Sequence, residues 1–435
     1  MFQSLANSMR VPELRNRILF TLGMICVFRI GTHIPTPGID AKLLTQNLPS
    51  SELFSFLNMF SGGALRRFSV FALGIAPYIN ASIIMQLLVY VIPYLEHLAK
   101  EEGEEGRKII SQYTRYGTVL IGALQGFGIS FMLERYGVVP FPGWPFKIMC
   151  VVTLTAGTAF IMWLGEQMTS RGIGNGISIL ISAGILAALP EAVVHQFALF
   201  TGSATDVLKL IALLVIVFAV IMGIVTVQDG VRKIPVQYAK RVVGRRVYGG
   251  QNTFIPLRVN QAGVIPVIFA SSILLFPSMI ATWIQGLESM QGLINNWFVF
   301  WLLNIFNYNS VSYLIIYAGL IIFFTYFYTA ITFNVQDLSD NMKKYGGFIP
   351  GIRAGRPTVD YLERTLSRVT LAGGVFLSVV AVIPNLLIKF MNVPFYFGGT
   401  ALLIVVGVAM DTMRQLESHL VTRNYEGFMK KRGLR

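Results

Sequence analysis

Ten stretches of apolar residues recur along the chain, separated by shorter polar or charged segments, roughly at 16–34, 71–93, 113–133, 148–168, 177–199, 208–228, 261–285, 309–331, 367–389 and 397–417. Each is close to the roughly 20 residues a helix needs to cross the hydrocarbon core of a bilayer. The runs must be helices, because a lipid-exposed backbone has to satisfy its own hydrogen bonds, and the alternation of a membrane barrel is absent. The pattern therefore predicts an all-α membrane protein. The polar start, "MFQSLANSMRVPELRNR", lacks a cleavable signal pattern, so the first run is kept as a span. The approach to the second run is unusual. "SGGALRRFSVFALGIAPYINASIIMQLL", Ser61 to Leu88, opens on two glycines and two adjacent arginines and is interrupted by Gly74 and Pro77.

Composition agrees with the pattern. The 435 residues are 54% hydrophobic and only 13% charged, too apolar for one large soluble core. Cytoplasmic loops retain Lys and Arg. Placing the N-terminus inside leaves 27 of the 35 Lys and Arg on the cytoplasmic side and seven on the other, with Arg29 inside the first span. Both termini are thus expected in the cytoplasm. Topology also accounts for much of the net charge of +14.

Two basic loops exceed what topology requires. "VRKIPVQYAKRVVGRRVYGG" lies between runs six and seven, and "NMKKYGGFIPGIRAGRPTVDYLERT" between runs eight and nine. Their length and their mixture of Gly, Pro and hydrophobics predict structured docking protrusions. Tyr238 and Tyr248 flank Lys240, Arg241, Arg245 and Arg246, a patch suited to a phosphate backbone or an acidic protein surface. Zinc spacings, a Walker loop, GxSxG and HExxH are all missing. "RGIGNG" at 171–176 follows a span rather than a strand and reads as a tight turn.

Mid-membrane charges, which couple ions or protons in carriers, are missing from runs two, five, seven, eight and nine. Glu134, Glu166 and Asp411 fall near span ends, and His33, His97, His195 and His419 are terminal or in loops. Neither an enzyme nor an ion-coupled carrier is supported, and no cofactor or metal is called for. Cys26 and Cys150 sit in apolar runs as small hydrophobes. Uncharged polar residues and small residues are plentiful instead, in "PYINASIIMQ", "NGISILISAGI" and "NQAGVIPVIFASS". Residues four apart share a helix face. Ile79 with Ile83 and Ile181 with Ile185 therefore form apolar stripes, which taken alone are ordinary packing.

"FALGIAPYINASIIMQLL", "RGIGNGISILI", "NQAGVIPVIFASSILLFP", "FIPGIRAGRPT" and "VPFYFGGTALLIVV" together resemble the SecY family of protein-translocation channels. The motifs keep the family's order and spacing across essentially the whole chain. The resemblance implies ten transmembrane helices in two inverted five-helix halves, residues 1–200 and 201–420, closing as a clamshell around an hourglass pore, followed by a basic tail at 421–435. It implies a short plug helix near 60–70, carrying Gly62, Gly63, Leu65, Arg66 and Arg67, with the second helix starting near Phe71. The residues alone also permit an interfacial half-helix there. The family's pore ring maps onto Ile79, Ile83, Ile181, Ile185, Ile268 and Ile404. On the fifth helix Ile177 and Ile181 share the spacing and remain an alternative. An apolar collar gates by dewetting and is indifferent to the sequence passing through it.

The resemblance also implies a lateral gate between helices two and three and helices seven and eight, with Gln86, Gln125, Asn260, Ser271 and Ser272 as polar contacts where signal sequences intercalate. Energy would come from the SecA ATPase or the ribosome, received by Lys240, Arg241, Arg245, Arg246 and Arg353. SecE and SecG would clamp the halves in the cell's cytoplasmic (inner) membrane. A solute transporter and a passive ribosome receptor are the other classes consistent with an apolar chain bearing basic loops.

Overall fold

The computed structural model describes residues 11–40, 43, 58, 61–198, 204–238, 241–243, 246–248, 252–286, 305, 310–391 and 399–432. Its elements in chain order are α1 (Pro12–Gly31), α2 (Ala76–Val91), α3 (Pro93–Lys100), α4 (Gly103–Arg135), α5 (Trp144–Arg171), α6 (Gly176–Ala198) and α7 (Ala204–Asp229), then β1 (Val231–Tyr238), β2 (Arg241–Val243), β3 (Arg246–Tyr248) and β4 (Asn252–Arg258). After these come α8 (Ile265–Gly286), α9 (Val311–Thr332), α10 (Val335–Lys344), β5 (Gly347–Phe348), α11 (Arg356–Met391) and α12 (Gly399–Arg432). Each apolar run overlaps one of the long helices. By length and composition alone, six described helices can cross a membrane, or seven if α2 and α3 form one bent span. That bend, 98°, falls where Ile92 is extended ahead of Pro93, because a proline ring disfavours helical backbone in the residue before it.

Helices α1, α2, α4, α5 and α6 pack on one another, as do α7, α8, α9, α11 and α12. The two sets meet where α8 touches α2 and α4 and where α6 touches α12. Lipid removes most of the hydrophobic drive for helix association, leaving close packing and hydrogen bonds to hold such bundles. Buried Thr118, Thr158, Thr325 and Thr329 accordingly satisfy their hydroxyls on the carbonyl four residues earlier. Gly157 of α5 lets the backbone of Val70 lie directly against the helix, since a Cβ there would collide with the Val70 carbonyl.

Sequence periodicity missed the strands. β4, β1 and β5 form a three-stranded antiparallel sheet, and β2 pairs with β3. The sheet joins the two long basic loops into one body, since β1 and β4 come from the first and β5 from the second. Ile234, Val236 and Leu257 cover Val335 and Met342 of α10 and Leu362 of α11 in a separate buried core. The loops are structured, as their composition predicts.

The segment before α2 departs from expectation. Residues 61–75 run as successive turns, not a short helix, and α2 begins at Ala76 rather than near Phe71. Gly62, Gly63 and Gly74 adopt positive φ (69°, 85° and 58°), as does Phe68 at 46°, and such backbone breaks a right-handed helix at every few residues. Pro77 then sits in the first turn of α2, where its missing N–H is harmless.

Candidate functional site

Four helices converge on one apolar cluster. α2 supplies Ile79 and Ile83, α6 supplies Ile181 and Ile185, α8 supplies Ile268 and α12 supplies Ile404, and all six are buried together. Ile177 lies one turn away at the edge of the cluster, against Gly165 of α5. Branched side chains with no polar atom leave water nothing to bond, so contact among them is dry.

The turn segment seats against this cluster. Ala64, fully buried, belongs to it, while Leu65 and Phe68 belong to a neighbouring core with Leu133, Phe146 and Leu154. Gly62 passes so close to α6 that a Cβ would lie 3.1 Å from the Cα of Gly184, beside Ile185. Arg29 of α1 donates from Nη1 to the Gly62 carbonyl at 2.9 Å. Phe28 stacks on Phe71 with ring centroids 6.1 Å apart. The backbone amides of Thr36 and Val70 bond the carbonyls of Phe68 and Ile34, each at 2.9 Å, tying the segment to the end of α1. Arg66 and Arg67 are exposed, with the Arg66 amide bonded to Asn58 Oδ1 at 2.7 Å. The sequence marked Arg29 as an oddity within a span; its partner lies 33 residues away and leaves no local signal.

The polar residues expected at a seam of α8 with α2 and α4 divide. Gln125 is buried on α4, and Gln86 on α2 donates to Ser82 at 3.1 Å. Ser271 and Ser272 are buried on α8, and Ser271 bonds back to the Ile268 carbonyl at 2.9 Å. Asn260 precedes α8 altogether and donates to the Gly263 carbonyl at 2.9 Å. Aromatic contacts of α9 left no sequence signal: Tyr90 of α2 meets Phe327 of α9 edge-on at 5.9 Å, and Phe269 of α8 meets Phe324 of α9 at 5.9 Å. A run such as "LIIFFTYFY" is too uniformly apolar to single out these rings in advance.

At the loop end, Arg353 is exposed in a turn held by the Thr358 hydroxyl, which donates to the Arg353 carbonyl at 2.9 Å. Arg241 and Arg246 occupy β2 and β3, paired in register with Tyr248 and Val243. Lys240 and Arg245 lie outside the described residues. The turn at 171–176 links α5 to α6, with Gly174 at φ 79° and Asn175 Oδ1 accepting from the amides of Ile177 and Ser178. Among the described residues, no cluster of three His, Cys, Asp or Glu could hold a metal.

The model of the SecY family matches residues 69–413. The chain is 48% identical to the protein translocase subunit SecY of Escherichia coli K12, over 97% of this chain and 95% of that one. It is 46% identical to the protein translocase subunit SecY of Halalkalibacterium halodurans, over 99% of this chain and 100% of that one. Among solved structures it is similar in fold to a protein conducting channel, with a TM-score of 0.66, 17% identity and coverage of 96% of this chain and 97% of that one. It is similar also to Sec61 in the canine ribosome-channel complex from the endoplasmic reticulum, with a TM-score of 0.61, 17% identity and the same coverage.

Proposed function

The chain belongs to the SecY family and is a protein-conducting channel, and from this premise we propose that unfolded polypeptide crosses through the collar of Ile79, Ile83, Ile181, Ile185, Ile268 and Ile404. The observation that carries the reading is the burial of all six, from four helices, in one cluster that also takes in Ala64 of the turn segment. Residues 61–69 are the plug, and their seat against the collar keeps the resting channel dry. An apolar ring without charges or aligned carbonyls grips no particular side chain, which a conduit for chains of any sequence requires. The ten long helices form two inverted halves, residues 1–200 and 201–420, that part along α2 and α4 on one side and α8 and α9 on the other. Signal sequences and transmembrane segments leave there into lipid, past Gln86, Gln125, Ser271 and Ser272. A signal opens this seam only by binding the open form more tightly.

The body built from the two basic loops receives the driving partner, SecA or the ribosome, through Arg353 and the Lys240 to Arg246 cluster; the relatives of similar fold include one in a ribosome-channel complex. SecE and SecG join the halves, and the chain lies in the cytoplasmic membrane with both termini inside, as the distribution of Lys and Arg requires. Reconstitution with SecE and SecA tests the reading: a secretory precursor added with ATP becomes protease-protected inside the vesicles. Vesicles that accumulate small solutes while leaving the precursor digestible would instead identify a solute carrier.

A further inference from the structure

On the loop side of the isoleucine cluster lies a polar cavity of about 460 Å³, within the size range of sites that bind small ligands or short segments. Two collar helices and the residue just ahead of a third reach it about one turn from their isoleucines: Ser178 ahead of Ile181, Val408 beyond Ile404, and Val264, preceding α8, ahead of Ile268. One helical turn is about 5.4 Å, so cavity and collar are stacked along the same line. The Ile268 amide bonds the Val264 carbonyl at 3.3 Å, which fixes that step directly.

Its walls carry buried polar atoms with nothing to bond. The side-chain nitrogen of Gln228, the side-chain oxygen of Asn260 and the side-chain oxygen of Gln261 have no hydrogen-bond partner, and Gln228 and Asn260 are only 4% and 5% exposed. Nearby groups do not serve them. Arg414 is committed to the Gln228 carbonyl and to Asp229, each at 2.7 Å, and Gln415 accepts from the Gly174 amide at 3.0 Å. Burying a polar atom without a partner is costly, so such atoms call for a hydrogen-bonding partner in the cavity. The cavity is lined by charges of both signs, Arg258 and Arg414 with Asp411, and its orphaned atoms are one donor and two acceptors, so neither a lone anion nor a lone cation is matched to it. A peptide group offers a donor and an acceptor whatever side chain it carries.

We propose that this cavity binds the backbone of an extended polypeptide segment immediately before it enters the collar, with Gln228 donating to a peptide carbonyl and Asn260 and Gln261 accepting from peptide N–H groups. The inference rests on the collar reading above and deepens it. Such a site holds an unfolded chain in line with the collar without selecting its sequence, which the collar itself cannot do because it offers no hydrogen bonds.

The test uses the complete membrane complex with a stalled semisynthetic precursor and a photoreactive side chain at position 178 or, separately, at position 404. The segment opposite carries either alanine or N-methylalanine, which keeps the carbonyl and removes the N–H. Adducts at 178 are expected to fall roughly fivefold for the N-methylated segment, the effect of one lost hydrogen bond, while adducts at 404 stay equal. The Gln228→Met and Gln261→Met double variant is expected to weaken the adduct at 178 for both segments and shrink the difference between them. It should unfold no more readily in a thermal scan, since neither orphaned atom makes a bond to lose. Equal adducts at 178 for both segments in the unmodified protein would mean that the cavity holds water only, and would overturn the proposal while adducts at 404 still support the collar. Loss of adducts at both positions would overturn the collar reading as well.

Discussion

Arg29→Met isolates the contact between the first helix and the segment proposed as the plug. The substitution keeps an apolar stem in α1 and removes the donor that reaches the Gly62 carbonyl at 2.9 Å. A hydrogen bond from a charged donor contributes about 1.5–3 kcal/mol, and Arg29 is only partly buried, which places this one at the lower end, about 1.5 kcal/mol. Because 1.4 kcal/mol is about tenfold in an equilibrium constant, the ratio of displaced to seated plug is expected to rise roughly tenfold. The shift appears only if the bond exists in the closed state and not in the open one; a contact kept in both would change nothing. Arg29→Lys retains the charge but not the long planar fork, so it is expected to fall between the wild type and Met. Single-channel recording of the purified complex in planar bilayers measures the resting open probability. If that probability is unchanged in Arg29→Met while the variant melts like the wild type, the bond is not part of the seal and the reasoning fails.

Deleting residues 62–69 removes Ala64 from the collar cluster and Leu65 and Phe68 from the neighbouring core; resting ion conductance is expected to rise with the helices and their orientation retained, and silent recordings would make the segment a connector. Ile404→Asn puts an amide where the side chain is fully buried; it is expected to hydrate the constriction and let precursors with defective signals pass several-fold more readily, as measured by export of a defective-signal reporter. Arg353→Glu reverses an exposed charge in a turn whose hydrogen bond uses only the Arg353 carbonyl. ATP-driven export is therefore expected to fall at least tenfold with abundance unchanged; normal export would make that arginine topogenic only, and lost export with intact SecA docking would move its role from binding to activation.

The ten apolar runs were legible because the bilayer imposes one length and one backbone solution on every crossing segment, so hydropathy alone places a long helix at each run, though not the short α3 and α10 or the full extent of α11 and α12. The motifs that carry the family resemblance were legible as small and polar residues within or beside those runs and, in "FIPGIRAGRPT", within a basic loop. The strands were not. β1 is eight residues, alternates only at Ile234 and Val236, and is stabilised by β4 and by β5 more than a hundred residues later, so its signal is nonlocal. The resemblance implies a short helix near 60–70 and a second helix from about Phe71, where the structure has turns, because nothing local announces Phe68 at positive φ, a conformation held by burial against α4 and α5.

Side-chain partnership was decided by tertiary structure alone. Isoleucines four apart on α6 give the same stripe whether counted from Ile177 or Ile181; only the packing of α2, α8 and α12 puts Ile181 and Ile185 inside and leaves Ile177 at the edge. Arg29 gained a purpose only when the chain returned Gly62 to it. The resemblance gave Asn260 a lateral-gate role and gave Gln228 and Gln261 none; their orphaned atoms emerge only from the fold, because a hydrogen bond that is missing becomes visible only after every neighbour has been placed. Periodicity reports which solvent a face meets, whereas the identity of the group across the contact depends on chain segments that sequence distance does not bring near.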